Sequence, residues 1–423
     1  MEYLPRALEA ELDELFAALP ALAIEGPKGV GKTAMASRRA ETTHALDDPE
    51  QLELAAADPS RLLDAAPPIL IDEWQRLPET WDLVRRAVDG GAEPGRFLLT
   101  GSASPDGTGT HSGAARIPTL RMRPLALSER LGLVGSVSLA ELLRGERPDL
   151  EGETSISLED YVDEILASGF PGLRRFSGRP LRAQLDGYLD RVVDRDFPEL
   201  GQRVRNPAGL RRWMSAYAAA SSTTTSFEKI RAAASSGAGE TVNRKAAAPY
   251  RDALERLWLL DPVPGWLPSR SHLKRLTAAE KHQLADPALA ARLVGATKGA
   301  LLKGESFGPP IPRDGTFLGA LFESLVTLSI RVYAQGAEAH VKHLRSFAGD
   351  HEVDLVVQRG DDRVVAIEVK LATVPRDDDL RHLKWLQKEI GEDLLDALVV
   401  TTGKSAYRRR DGIGVVPLAL LGP

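Results

Sequence analysis

The sequence predicts an α/β protein of two or three domains, and three observations support this fold class. A glycine-rich run at 26–33 lies between an apolar segment and a segment that is compatible with a helix. A second apolar segment at 68–71 ends in two acidic residues, and strand and helix patterns alternate again between 317 and 401. The chain has 423 residues, of which 43% are hydrophobic, so it can bury several cores. We divide it into the segments 1–150, 151–300 and 301–423.

The composition excludes several classes of function. The chain has no cysteine, which rules out disulfides, thiolate zinc sites and cysteine nucleophiles. The histidines are scattered, and none shows the spacing of a zinc site. No apolar run approaches the roughly 20 residues that a membrane helix needs, and the N-terminus lacks the basic and apolar regions of a signal peptide. We therefore expect a soluble, cytoplasmic protein without membrane contact.

The run 26–33 fills every fixed position of the phosphate-binding pattern GxxxxGK[ST]. It follows the apolar segment 22–24, and this strand–loop–helix context is what the pattern requires. Glycines allow backbone N–H groups to wrap around a triphosphate. Lys32 is suited to reach the β- and γ-phosphates, and Thr33 to bind Mg²⁺. The residues predicted to bind ATP and Mg²⁺ from this loop are Gly26, Lys28, Gly29, Gly31, Lys32 and Thr33.

Two further strands are predicted to place polar side chains beside this loop. The segment 68–71 is followed by Asp72, which would orient Mg²⁺, and by Glu73, which would polarise the attacking water. The segment 96–99, which is apolar from 97 onward, is followed by Thr100 and Ser102. Because the carboxyl ends of parallel strands meet at one edge of a sheet, either hydroxyl could sense the γ-phosphate or position the water. Glu73 is the residue that distinguishes ATP hydrolysis from ATP binding alone.

In their order along the chain, these motifs resemble a large prokaryotic family of AAA+-like ATPases that carry a C-terminal domain of unknown function. The resemblance rests on five segments, namely 26–33, 46–49, 71–78, 99–102 and 123–129. Members of that family typically carry a Gly-Arg pair after the third strand, and the matching place here reads Ala115-Arg116. The resemblance implies that Arg116 is an arginine finger or sensor arginine, with Arg121 or Arg123 as alternatives.

The middle segment resembles the same family in the residues 161–172 and 185–196, which implies a helical lid. The pattern then predicts three helices at 210–220, 227–234 and 242–260. Residues 241–260 resemble the recognition helix of a winged helix followed by its wing. The net charge of the chain is -6, yet ten basic and only four acidic residues lie between 203 and 256. A DNA contact would use Arg244, Lys245 and Arg251 on phosphates, whereas a winged helix can equally bind protein.

The C-terminal segment resembles the core of the restriction-endonuclease-like (PD-(D/E)xK) fold. Its predicted order is helix 317–333, strands at 339–344, 352–358 and 364–370, helix 380–388 and strand 397–401. The resemblance implies a nuclease-like site in which two acids hold Mg²⁺, a lysine orients the attacking water and the helix adds an acid. The residues concerned are Asp354, Glu368, Lys370 and Glu323. Acids and lysines on the solvent face of amphipathic strands would give the same pattern.

The sequence as a whole predicts a Mg²⁺-dependent, ATP-hydrolysing, AAA+-like protein that acts on or near DNA. Its catalytic residues would be Glu73, Ser102 and Arg116, and Arg116 could complete the site either of its own chain or of a neighbouring subunit in a homo-oligomer. Two alternatives remain open at this point. One is an ATP-gated, metal-dependent DNA nuclease, and the other is a non-catalytic, antitoxin-like or scaffold protein in which the nucleotide only regulates contact with a protein partner.

Overall fold

The computed structural model describes most of the chain and divides it into two compact units. The described residues are 3–102, 116–201, 204, 206–235, 244–268, 278–303, 315–346 and 350–423. The N-terminal unit comprises Met1–Pro124, Phe170–Gly172 and Leu254–Leu259. The C-terminal unit comprises Leu125–Gly169, Leu173–Ala253 and Leu260–Pro423.

The N-terminal unit is built on a parallel sheet with five strands in the described residues, in the order β2-β3-β4-β1-β5. The strands are β1 (Ala21–Glu25), β2 (Thr42–Ala45), β3 (Ile69–Asp72), β4 (Phe97–Gly101) and β5 (Thr119–Arg121). Three of them, β1, β3 and β4, are buried along their whole length. Such strands read as continuous apolar runs, which is why the sequence predicts them well.

The register of this sheet places its functional ends together. β4 lies between β3 and β1, with Thr100 opposite Asp72 on one side and Ile24 opposite Thr100 on the other. The third predicted strand is therefore adjacent to the acidic strand, as the sequence indicates. All five strands run in the same direction, so the loops that follow them share one edge of the sheet.

The helices of the N-terminal unit cover this sheet. They are α1 (Leu8–Ala18), α2 (Lys32–Ala36), α3 (Pro49–Ala57) and α4 (Glu79–Asp89), with 3₁₀ turns at Pro59–Leu62 and Trp74–Arg76. Trp74 and Trp81 pack against each other with ring centroids 4.7 Å apart. Both belong to a core that also contains Ile71, Phe97 and Leu99. This packing fixes the turn that follows β3.

The C-terminal unit contains a second sheet with seven strands among the residues described, in the order β12-β13-β11-β10-β9-β8-β7. The strands are β7 (Gly265–Trp266), β8 (His340–Arg345), β9 (Glu352–Gln358), β10 (Val364–Val369), β11 (Leu394–Thr401), β12 (Tyr407–Arg408) and β13 (Gly414–Pro417). β8, β9 and β10 form an antiparallel meander, and β10, β11 and β13 are parallel. A small parallel pair joins β6 (Val137–Ser138) and β14 (Leu421–Gly422).

The remaining helices belong mostly to this second unit. They are Leu127–Leu131, Leu139–Arg144, Leu158–Ala167, Gly178–Arg191, Phe197–Glu199, Pro207–Ala219, Phe227–Ser235, Arg244–Arg256, Pro287–Leu293, Lys298–Lys303, Gly315–Gly336 and Arg381–Ile390, with a π-helical segment at Val192–Asp196. The three helices predicted between 210 and 260 are confirmed with shifted ends. Residues Leu260 and Val263 then form antiparallel bridges with Leu284 and Lys281.

One helix is long and apolar enough to cross a membrane, which the sequence analysis did not anticipate. This candidate span is Phe317–Gly336, with a mean hydropathy of 1.4. However, 67% of its most apolar stretch is buried inside the unit. Leu321, Phe322 and Val326 have no exposed surface. Such burial is typical of the core helix of a globular unit.

Candidate nucleotide-binding site

The loop between β1 and α2 has the tight geometry that its glycines allow. A Cβ atom built on Gly26 would lie 2.2 Å from the carbonyl oxygen of Met122, so no larger residue fits without moving the backbone. Gly31 has a φ of 106° and precedes the first helical residue, Lys32. This left-handed conformation favours glycine because it has no side chain. Lys28 is half-buried in the same loop.

The Lys32 ammonium lies inside the loop and binds its backbone. Its Nζ atom donates to the carbonyl oxygens of Gly26 at 2.8 Å and Pro27 at 3.0 Å. The side chain is buried, and this burial lowers the pKa of Lys32 to about 8, while the carboxylates of Glu73 and Asp72 act in the opposite direction. A buried cation at this place is suited to an incoming polyanion, because a phosphate would replace two neutral acceptors by charged ones.

Thr33 and Asp72 lie together, as the sequence predicts for a magnesium site. The Thr33 hydroxyl donates to both carboxylate oxygens of Asp72, at 2.9 and 3.0 Å. The Thr100 hydroxyl donates to the same carboxylate from β4. Thr100 and Asp72 are buried, whereas Thr33 is exposed. These oxygens are of the kind that a Mg²⁺ ion bound with ATP prefers, and Thr33 presents one of them to solvent.

Glu73 begins the turn after β3 and has hydrogen-bond partners on two sides. Its Oε2 atom accepts from the Ser102 hydroxyl at 3.2 Å and from the Gln75 amide. The same amide donates to Ser102 Oγ at 3.2 Å. Glu73 has a φ of 53°, a left-handed conformation that is costly for a residue with a side chain. The sequence predicts roles for Glu73 and Ser102, but no motif marks Gln75, which stands two positions after Glu73.

Three more charged residues border this loop and were missed or left as alternatives. Arg6 is buried and donates from Nη1 to the carbonyl oxygen of Val30 at 3.0 Å, so it supports the loop backbone. Glu25 ends β1 directly before the loop, and burial raises its pKa to about 7. Arg121 ends β5 opposite Glu25, and its guanidinium lies 4.5 Å from the ring centroid of Trp258.

Arg116 lies elsewhere in this unit. Its Nε atom donates to Asp89 at 2.9 Å, and its side chain is half-exposed. Asp89 ends α4, and Arg116 precedes β5. Since β5 is parallel to β1, the residues before it lie towards the opposite edge of the sheet from the loop 26–33. Within one chain, Arg121 is therefore better placed for this loop than Arg116.

Comparison with known proteins supports the nucleotide-binding fold of the first unit. Residues 19–131 match the family model described as an AAA domain. This match supports an AAA-type, ATP-binding fold for residues 19–131 of the first unit. Residues 158–299 and 318–421 match two models of domains of unknown function, DUF8612 and DUF4143. The second of these agrees with the C-terminal domain that the resemblance implied.

Individual relatives add little about function. Two uncharacterised proteins, one from Mycobacterium bovis and one from Mycobacterium tuberculosis, are each 28% identical over 201 residues. The match covers 46% of this chain and 40% of the length of each relative. A Walker-type ATPase of Pyrococcus abyssi is 15% identical with a TM-score of 0.38, covering 69% of this chain and 96% of that one.

The residues of the predicted nuclease-like site lie near one another in the second unit, around a lysine that the sequence analysis missed. Lys281 Nζ lies 2.8 Å from Glu323 Oε1 and 3.3 Å from Asp354 Oδ1. Lys370 Nζ lies 2.7 Å from Glu368 Oε1. No group of three or more His, Cys, Asp or Glu residues in the described part of the chain has an arrangement that could hold a metal ion.

The predicted DNA-contact residues are described only in part. The side chains of Arg244 and Lys245 lie outside the described residues, although both positions belong to the helix Arg244–Arg256. The guanidinium of Arg251 lies 4.9 Å from the ring centroid of Phe227 and also pairs with Asp252 at 3.1 Å. The winged-helix assignment and the DNA contact stay predictions.

Proposed function

We propose that this protein is a Mg²⁺-dependent ATPase that hydrolyses ATP at the carboxyl edge of its N-terminal sheet. The proposal rests mainly on one observation. Thr33 and Thr100 both donate to Asp72, while Ser102 and Gln75 both contact Glu73 one residue further along. These hydrogen bonds orient two adjacent carboxylates for different roles. Asp72 is suited to the metal that accompanies ATP, and Glu73 is suited to the attacking water.

Each group has a definite task in this mechanism. Lys32 leaves the two loop carbonyls and binds the β- and γ-phosphates. Thr33 and Asp72 would hold the Mg²⁺ ion that accompanies the nucleotide, and the ion would offset charge on the phosphates. Glu73 accepts a proton from the attacking water or polarises it, and Ser102 with Gln75 keeps the carboxylate aimed. Positioning and electrostatic stabilisation account for most of the rate acceleration in phosphoryl transfer, so the mechanism needs no covalent intermediate with the protein.

The position of Arg116 favours an assembly in which several copies of the chain share their nucleotide sites. An arginine that stabilises charge on the transferring phosphoryl group can be supplied by a second subunit. Arg116 is half-exposed and lies away from the loop of its own chain, which suits a contact with the nucleotide of a neighbouring copy. In this arrangement Arg121 would act within the chain and Arg116 between chains. The rate of ATP hydrolysis per subunit should then rise with protein concentration in wild type, and it should not depend on protein concentration in Arg116→Ala.

Steady-state phosphate release tests the ATPase proposal. Wild type should release phosphate with MgATP, and Glu73→Gln should lose at least about a hundred-fold in kcat while still binding ATP, because a general base contributes at least that factor. Lys32→Ala should lose binding itself. Glu79→Gln, an exposed acid six residues further along, is the matched control and should turn over like wild type. Equal rates in wild type and Glu73→Gln would refute the proposal.

A DNA contact is the second candidate, favoured by one groove in the C-terminal unit. This groove has a volume of about 220 Å³ and is lined by Trp213, Phe227, Glu228, Arg231, Ala247, Ala248 and Arg251. Trp213 is buried and Phe227 is partly exposed, and an exposed ring next to arginines is a surface on which a single-stranded base can stack. Binding of a fluorescent oligonucleotide should weaken steeply with salt and weaken further in Phe227→Ala and Arg251→Ala. Binding that neither substitution changes would refute this contact.

The regulatory alternative gives a different pattern of mutants. If the nucleotide only sets the conformation for a protein partner, Glu73→Gln should retain the biological effect and Lys32→Ala should abolish it. If hydrolysis is required, both substitutions abolish the effect. Cleavage of DNA that is lost in Asp354→Ala would instead establish the nuclease alternative.

A further inference from the structure

The acidic residues of the C-terminal unit surround a lysine rather than an open space for a metal. Lys281 is completely buried and contacts Glu323 at 2.8 Å and Asp354 at 3.3 Å. Glu352 lies 3.7 Å away at the exposed side of the cluster. We call Lys281, Glu323, Asp354, Glu368 and Lys370 the lysine-filled centre. Glu323, Asp354 and Glu368 are the acids that the resemblance to the restriction-endonuclease-like fold assigns to a Mg²⁺ site.

Lys281 is held in place by its backbone as well as by its charge. It forms an antiparallel bridge with Val263, with reciprocal N–H···O bonds of 2.8 and 2.9 Å. Its neighbour in sequence, His282, donates from Nε2 to the carbonyl oxygen of Thr225 at 2.6 Å. The backbone at Lys281 is therefore fixed by hydrogen bonds, and this fixes the position from which its side chain reaches the acids.

The remaining acids are occupied in a way that also disfavours a metal. Asp354 Oδ2 accepts the backbone N–H of Val369 at 2.9 Å, so both of its oxygens are bound. Glu368 Oε1 accepts from Lys370, whereas Glu368 Oε2 is buried and has no partner among the described residues. A divalent ion would have to lie beside an ammonium that already contacts two of its ligands, and like charges at that distance repel strongly.

We infer that Lys281 is the resident cation of the lysine-filled centre and takes the place of a divalent metal. The centre then holds the helix Gly315–Gly336 against β9 and β10 through buried, hydrogen-bonded charges, and the wild-type protein does not cleave nucleic acid there. Removing the ammonium uncovers Glu323, Asp354 and the free oxygen of Glu368. The chain that supplies these acids therefore also supplies Lys281, the cation that occupies the space between them. This inference goes beyond the ATPase proposal and does not depend on it.

Binding of Mn²⁺, followed by electron paramagnetic resonance without nucleotide, tests the inference. Wild type and Asp354→Asn should bind the same number of Mn²⁺ ions, because Asp354 is not a metal ligand. Lys281→Gln should gain one ion, bound at least roughly ten-fold tighter than any in wild type, and the double variant Lys281→Gln/Asp354→Asn should lose it. Lys298→Gln, which removes an exposed lysine, is the matched control and should behave like wild type.

The inference is overturned if wild type binds one Mn²⁺ more than Asp354→Asn. It is also overturned if Lys281→Gln, shown to be folded by circular dichroism, gains no ion. A further measurement needs no change in the centre. Thr33→Ala, which disables the nucleotide site, should bind no stoichiometric Mn²⁺, and one tightly bound ion in that variant would contradict the assignment. Failure of any of these tests leaves the ATPase proposal untouched, because phosphate release is measured at the other site.

Discussion

Replacing Lys281 by methionine should destabilise the C-terminal unit strongly. Methionine keeps most of the volume of the side chain and removes its charge. The substitution leaves the carboxylates of Glu323 and Asp354 buried without the ammonium that contacts both. Breaking a buried ion pair by removing one partner costs about 3–5 kcal/mol, because the remaining charge is not compensated. Lys281 has no exposed side chain, so solvent cannot offset this loss.

Thermal unfolding of the full chain measures the effect. For a unit of this size, 1 kcal/mol shifts the unfolding temperature by about 2 °C, so Lys281→Met should lower it by roughly 6–10 °C. Lys298→Met is the matched control, since it breaks an exposed ion pair with Asp163 that is worth at most about 1 kcal/mol. Adding Glu323→Gln to Lys281→Met should recover part of the loss. A shift of less than about 2 °C for Lys281→Met would refute the reasoning.

Three further predictions concern other residues. Burial lowers the pKa of His343 to about 4. The neutral side chain therefore contributes at most about 3 kcal/mol to the free energy of unfolding above pH 6.5, and this contribution is lost as the pH falls towards 4. Between these pH values the free energy of unfolding should depend less steeply on pH in His343→Gln, and as in wild type in the exposed control His340→Gln. Gly26→Ala should weaken MgATP binding at least about ten-fold in a titration, because its Cβ would lie 2.2 Å from a backbone oxygen, and unaltered affinity would contradict this. Gln75→Ala should lower kcat roughly ten- to hundred-fold with little change in ATP affinity, and a loss of affinity instead would place Gln75 in nucleotide binding.

Much of the nucleotide site could be predicted because its chemistry is local in sequence. The loop 26–33 carries its glycines, lysine and threonine within eight positions, and its neighbouring strands read as buried apolar runs. A polar side chain at the end of such a strand must lie at the loop edge of a parallel sheet. Asp72 and Thr100 therefore could be assigned before the structure, and their register confirms that they are neighbours.

The residues that sequence reasoning missed act over long separations in the chain. Arg6 supports the carbonyl of Val30, which lies 24 positions away. Lys281 meets Glu323 and Asp354 across 42 and 73 positions. No periodicity or motif marks such residues, because a single basic residue in a polar segment is usually a surface group. Only the fold shows that Lys281 is buried among acids.

Arg116 shows a different limit of the sequence. Its position in the family pattern is local, and the resemblance therefore named it as a finger arginine. Its location relative to the loop depends on the direction of β5 and on α4, which ends at Asp89. The sequence alone could not decide between action within one chain and action between chains. The division at 150 and 300 also stays a prediction.

Single-turnover hydrolysis of a preformed ATP complex tests the central claim most directly. Enzyme in excess over γ-labelled ATP, started with Mg²⁺, reports the chemical step without product release. The ATPase account predicts conversion of bound ATP in wild type and Glu79→Gln, and a rate at least about a hundred-fold lower in Glu73→Gln with equal ATP binding. If Glu73→Gln converts bound ATP as fast as wild type does, Glu73 is not the catalytic base; if wild type leaves bound ATP unconverted, the site binds ATP for another purpose.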